Sequence, residues 1–456
     1  MQVFGNGLSY SSGTSYTFVQ STGARSGTYS SITDDLDFFN ATLVYGANSV
    51  GFILNRDTSG FASAATTPNQ QAVANYIIAT SPGAVGDYNT VLDALSSLPS
   101  SQIGSAFDQL DGSAYATMGA VGVQNATNMI MSLRRLTVSD TLRQPAVGGT
   151  APLVYDDSYE GLEMRFVNLR SNDGVSLTPV IRFEDRPRRP WNGFSVGYGS
   201  WNNGIANGSY GAGGSITSIY RDLYTGIRLG AFAGYNYMQL KQGIATQSVS
   251  NNNFTFGSFF RAEDDDRYML AISSFGFDSY EGSRSINFGT INRTATSDYD
   301  GWQTTQYVEA GMKEVGWPFD IDPFVGLQYV FLSQDAFTET GADSVNLVVD
   351  KTDVNSLRSV LGTRLARDYG SLRPEFRAMW LYDFFGTNPV INSTFLGAGG
   401  TAFQTQGVNL GRSWAVLGAG ATWAVTDRIS LAGNYDAMFN DDRAFHMGSG
   451  SVQVYW

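Results

Sequence analysis

The chain has 456 residues, of which 42% are hydrophobic, 15% charged and 13% aromatic, with 52 glycines. That is too long for one ordinary soluble domain and too polar for a bundle of membrane helices. A formal charge of -13 disfavours partners held through their phosphates, so nucleic acid is set aside. The absence of cysteine removes disulfide frameworks, thiolate metal sites and cysteine nucleophiles, and a single histidine, His446, leaves no imidazole cluster.

Residues 1 to about 66 read as short strands broken by Gly, Ser, Thr and Asn, and resemble the end of a stacked, β-helical structure more than a free domain. Near Thr67-Pro-Asn-Gln-Gln-Ala-Val-Ala-Asn, Pro68 can fix a first helical turn. Apolar residues then recur every three or four positions in Val91-Leu-Asp-Ala-Leu, Phe107-Asp-Gln-Leu and Met129-Ile-Met-Ser-Leu-Arg-Arg-Leu, which predicts short helices over 67–140. Residues 141–190 read as a linker ending in Arg186-Pro-Arg-Arg-Pro190, a solvated joint or a face for lipid phosphates or an assembly partner.

From Trp191 to Trp456 the period is two. Leu229, Ala231, Ala233, Tyr235 and Tyr237 share one face, opposite Arg228, Gly230, Phe232, Gly234 and Asn236. Val325, Leu327, Tyr329 and Phe331 alternate with Gly326, Gln328 and Val330, and Phe376, Ala378, Trp380 and Tyr382 with Glu375 and Arg377. An apolar face against one carrying Gly, Arg and Glu fits a wide barrel with lipid outside and a polar lumen. The pattern predicts an all-β transmembrane barrel of about twelve antiparallel strands, beginning near 191, 208, 225, 251, 267, 303, 321, 354, 371, 411, 428 and 445. Long connections are expected at about 241–250, 280–302, 334–353 and 385–410, with short turns near 221–224, 264–266, 316–320, 368–370 and 425–427. That rhythm predicts extracellular loops and periplasmic turns, with both ends of the barrel in the periplasm.

The helical block, the barrel segments Asp353-Val-Asn-Ser-Leu-Arg-Ser-Val-Leu-Gly-Thr-Arg-Leu, Leu372-Arg-Pro-Glu-Phe-Arg-Ala-Met-Trp and Ser430-Leu-Ala-Gly-Asn-Tyr-Asp-Ala-Met-Phe, and the terminal Trp456 resemble the bacterial autotransporters of type V secretion. The order of these elements, over most of residues 25–456, carries the resemblance. It implies a C-terminal translocator in the outer membrane that exports an N-terminal passenger to the cell surface, with a helix in its pore. It also implies insertion by the barrel-assembly machinery, delivery by periplasmic chaperones, a monomeric barrel in outer-membrane lipid, and no cofactor or metal. Val452, Val454 and Trp456 resemble the family's terminal insertion signal, although Ser451 stands where the family usually has Gly. Only about 65 residues precede the helices, and Met1-Gln-Val-Phe-Gly-Asn-Gly lacks the start of a secretory signal, so passenger and signal are expected upstream in a longer precursor.

Glu309, Lys313, Arg358, Arg364, Arg373, Glu375 and Arg377 fall on inward faces and are expected to line the pore, holding a helix or satisfying one another. Gly119–Leu136 is the candidate pore helix, with a core helix outside the barrel as its rival; Asn125 and Asn128 are available should the helix cut itself. His446 lacks a serine in a strained Gly-x-Ser-x-Gly turn, so it reads as a rim residue and not as part of a catalytic triad. Glu263-Asp-Asp-Asp266 reads as a charged turn, lacking the ligand spacing of a calcium loop. The alternative functions are a porin-like channel, a barrel lipase dependent on His446, or a soluble adhesin-like β-protein.

Overall fold

The structure is a computed structural model, and it describes all residues except 6–8, 139–159, 172–173, 186–190, 225, 244–246, 265, 316–318 and 387. The sequence 186–190 therefore lies outside the described residues, and of 160–171 and 174–185 only an antiparallel pairing is described.

Backbone N–H and C=O groups inside a bilayer have no water to bond, which leaves the closed sheet as the way for strands to cross. Here thirteen segments form one sheet; the two-residue Glu314–Val315 continues its neighbour, leaving twelve long strands. In chain order they are β1 (Asn192–Asn203), β2 (Ser209–Tyr224), β3 (Ile227–Gln242), β4 (Gln247–Glu263), β5 (Arg267–Phe288), β6 (Ile291–Met312), β7 (Asp320–Gln334), β8 (Thr352–Ala366), β9 (Leu372–Asp383), β10 (Ser413–Thr426), β11 (Ile429–Phe439) and β12 (Ala444–Tyr455). All neighbours are antiparallel, and β12 pairs with β1 from His446↔Trp201 to Tyr455↔Asn192, so the sheet closes on itself.

Alternation sets the two surfaces. Leu229, Tyr235, Phe254, Phe256, Leu361, Phe376 and Trp380 stand exposed on the outer wall, an apolar area that only lipid would cover in a monomer. Trp456 sits on the same surface, its ring over Gly193 and its N–H donating to the Trp191 carbonyl at 3.3 Å. Val452 is exposed beside it, in register with Leu431.

Two expected loops are strand. Residues 280–302 belong to β5 and β6, each 22 residues long and meeting at Gly289-Thr290, and most of 241–250 belongs to β3 and β4. Their outward residues there, such as Glu281, Ser283, Asn292 and Thr294, are polar, because this part of the wall rises beyond the apolar belt. The expected turn at 221–224 is likewise the end of β2. The connections after β7 and β9 are long as expected, and fold into a four-stranded sheet of Phe337–Thr338, Leu347–Val349, Val390–Phe395 and Phe403–Gln406.

Helices α1 (Pro68–Thr80), α2 (Gly86–Ser96) and α3 (Ser100–Leu110) form a cap on this loop sheet. The Thr67 side chain accepts the Gln70 N–H, and Gln70 returns the bond, a capping box with Pro68 in the first turn. Tyr76 packs its ring against Phe395 and Phe403, with centroids 5.3 and 5.0 Å away. Asn69 exchanges two 2.9 Å bonds with the Gln406 backbone. At the tip of β6, both Arg293 terminal nitrogens meet Asp87, at 2.6 and 2.7 Å. In the N-terminal region, expected to end a β-helix, the parallel pairing such coils use joins Gln2–Val3 to Thr33–Asp34. Strands 14–20, 49–56 and 39–45 form an antiparallel sheet. That sheet is tied to the cap by Arg56, 2.8 Å from Asp93.

Two cap carboxylates respond oppositely to pH. Hydrogen bonding from Arg293 holds Asp87 well below the usual carboxylate range, so its contribution is present above about pH 4 and lost in stronger acid. Burial pushes Asp111 up to about 6. A raised native value means that its contribution is full below about pH 4 and declines as pH rises through about 6. The protection of amides in α1–α3, corrected for their intrinsic exchange rates, should therefore be greatest near pH 4 and decline toward pH 6. Asp111→Asn, which keeps an acceptor for the Ser113 N–H and Gln247, should flatten the loss on the alkaline side; an unchanged profile would refute this assignment.

Candidate functional site: the filled bore

Gly112, at φ +66°, turns the chain from the cap straight down into the barrel. Helix α4 (Ser113–Val138) follows, and residues Ala114–Thr137 are buried on all sides. It contains the expected Gly119–Leu136 and lies inside the barrel, which removes the rival placement. No helix among the described residues is long and apolar enough to cross a membrane, and α4 carries Gln124, Asn125, Thr127, Asn128, Ser132, Arg134 and Arg135. Such a sequence is stable here because the wall supplies a polar partner at successive levels.

At the loop end, the Tyr115 hydroxyl donates to Glu339 at 2.8 Å, and Arg284 grips the same carboxylate at 2.5 and 3.1 Å. Midway, Asn125 donates to Asn236 at 2.9 Å, and Asn236 to the Tyr198 oxygen at 3.2 Å. Arg358 from β8 donates to Thr127 at 2.8 Å and Gln124 at 3.3 Å while pairing with Asp383 of β9 at 3.1 Å. The opposite requirement holds where the wall is apolar: Val123 and Ala126 pack on Val330, Leu332 and Val354, and a Cβ at Gly122 would lie 2.7 Å from Leu332.

At the turn end Arg134 pairs with Glu309, which also accepts the Tyr268 and Tyr307 hydroxyls, and the guanidinium lies 3.7 Å over the Phe324 ring. Arg135 pairs with Asp436 and donates to Ser449 at 2.9 Å. Arg377 pairs with Glu375 and lies 3.0 Å from Asp436, and Arg364 pairs with Asp322. Arg261 donates to the Thr137 carbonyl at 3.0 Å, near the helix C-terminus, where cations are favoured.

Five of the seven expected lining residues, Glu309, Arg358, Arg364, Glu375 and Arg377, are thus buried in the bore. Lys313 and Arg373 lie at the turn-end rim instead, the first paired with Glu263 and the second 3.2 Å from both Asp320 and Asp368. Sequence reading missed the acids Asp322, Asp383 and Asp436, although each keeps the inward parity of its strand. His446 faces outward, bonded through Nδ1 to the Tyr435 hydroxyl at 2.7 Å and stacked on Trp201.

Arg134→Ala would leave Glu309 buried and without its cation, a change that costs roughly 3–5 kcal/mol when the partner stays. We expect frequent channel openings in planar bilayers and a lower temperature of barrel unfolding, with recovery in Arg134→Met combined with Glu309→Gln. Arg373→Glu at the rim should leave conductance near that of the parent, and an effect equal to that of Arg358→Glu would contradict the placement.

Residues 193–436 match the family model described as the autotransporter beta-domain. An extracellular serine protease of Serratia marcescens is 22% identical over 94% of this chain, and the chain spans 42% of that protein's length. The translocator domain of autotransporter NalP from Neisseria meningitidis is 18% identical with a TM-score of 0.46, covering 59% of this chain and 88% of the domain. The beta domain of the Bordetella autotransporter BrkA is 14% identical with a TM-score of 0.42, covering 59% and 100%. The match over residues 193–436 runs from β1 through most of β11, and the chain belongs to the autotransporter beta-domain family of bacterial outer-membrane barrels.

Proposed function

We propose that this chain is the translocator end of a longer autotransporter, which anchors in the outer membrane and delivers an N-terminal passenger to the cell surface. The observation that carries this reading is the path of the chain. Residues before Ser113 lie at the loop end, α4 runs down the bore, and β1 begins at the turn end. A segment whose two sides flank the barrel in this way is what passage through the pore would leave behind. The helix then closes the bore, and the ion pairs around Arg134, Arg135 and Arg358 hold it.

Export of this kind needs no nucleotide, since folding of the cap and of the passenger outside supplies a downhill direction. In this reading periplasmic chaperones and the barrel-assembly machinery act before closure, the latter on the strand carrying Val452, Val454 and Trp456, and the barrel works as a monomer. The wall of the bore gives α4 its partners at every level, which favours a translocator over an open porin.

An epitope placed before Met1 should be accessible to protease on intact cells, and the barrel should run faster on gels before boiling than after. Truncation of Ser451–Trp456 should abolish both. A heat-shifted barrel whose epitope stays protected in intact cells would overturn the export reading while leaving the fold intact.

A further inference from the structure

Near the turn end, the outer wall is not smooth. One cross-strand row runs Ala262, Met269, Ala310, Val325, Leu361 across five strands, each pair in register. The two alanines are short, while Met269, Val325 and Leu361 project and are more than half exposed. Met312 and Pro323 continue the walls one row closer to the rim, and together these residues enclose a mostly apolar cleft of about 810 Å³. That volume lies in the range of clefts that enclose a small ligand.

The rim of the cleft is charged. Arg267 is exposed on the outward side of β5, two residues before Met269, and lines the cleft with Asp264. Asp264 takes the Arg267 N–H at 2.7 Å and the Asp266 N–H at 3.0 Å, bonds that hold its carboxylate below the usual range. Asp266 is exposed beside it. Among the described residues, Arg267, Asp264 and Asp266 therefore stand together, beside Glu263, which lines the cleft and is already paired with Lys313, at the level where the apolar wall ends, which is where lipid headgroups lie.

We infer that this cleft binds one phospholipid of the periplasmic leaflet through a zwitterionic headgroup bearing a primary ammonium. Its phosphate meets Arg267, its ammonium meets Asp264 and Asp266, and an acyl chain lies in the trough over Ala310 between Met269 and Val325. Charge complementarity selects this occupant: an anionic headgroup without the ammonium satisfies Arg267 but meets the two carboxylates unfavourably. The inference rests on the outer-membrane placement of the barrel.

The full chain, delipidated in mild detergent and mixed with dioleoyl phosphatidylethanolamine or dioleoyl phosphatidylglycerol, can be tested by native mass spectrometry. One retained phosphatidylethanolamine is expected, with loss of that retention in Arg267→Glu and in Ala310→Trp, which fills the trough. Both variants should keep the heat-shifted gel mobility, which reports the barrel separately. Equal retention of the two lipids, no retention by the parent, or full retention by Ala310→Trp would each overturn the site. A parent chain without the gel shift would instead count against the barrel on which the inference depends.

Discussion

Everything in this molecule depends on the requirement that no backbone polar group face hydrocarbon unpaired. The pairing of β12 with β1 meets it by removing both sheet edges, and that seam brings the last residues of the chain back to Trp191 and Gly193. Closure then dictates the rest. With side chains alternating along every strand, an outer wall acceptable to lipid forces the remaining residues into a common interior, and twelve strands enclose more space than wall side chains can fill. The chain fills it with its own helix.

The interior shows how charge is tolerated at low dielectric. A buried ion pair gains little net stability over a well-packed apolar pair, but a single unpaired member is costly. The bore is therefore less a source of stability than of specificity: Arg134 fits where Glu309, Tyr268 and Tyr307 converge, while Gly122 fits where Leu332 leaves no room for a side chain. Sliding the helix by one turn, about 5.4 Å, would draw Arg134 away from Glu309 and leave that carboxyl group buried without its cation. Position along the bore is set by this alternation of apolar and polar levels.

Much of this was legible in the sequence because it follows from periodicity. The apolar face of β3, β7 and β9, the number of strands and the helical spacing before them are local properties, and inward parity identified five of the bore charges. The strand extensions at 280–302 were not legible, since runs such as Ser283, Ser285, Asn287, Thr294 and Thr296 have the composition of a loop. Only their pairing, with Arg284 and Ala295 turned inward, reveals a strand that has left the membrane. Lys313 and Arg373 were misjudged for a related reason: parity gives the side of the wall but not the height. Of the acids that answer the arginines, Asp436 was overlooked because it is the lone charge of β11, Asp383 because it closes β9 after an uncharged run, and Asp322 because it falls just after Asp320 at the edge of an expected turn.

The hairpin of β5 and β6 has a mechanical consequence. Strands of 22 residues are roughly twice the length that a tilted crossing needs, so the hairpin rises on the order of 25 Å clear of the bilayer. Its exposed half carries Arg284 and Arg293, which hold Gln109 and Asp87 of the cap. A pull on the chain upstream of the cap therefore passes into this rigid post and from there into the sheet, in shear across many hydrogen bonds. The helix inside is shielded from the load, and a drag on whatever the protein displays is borne by the wall and not by the plug.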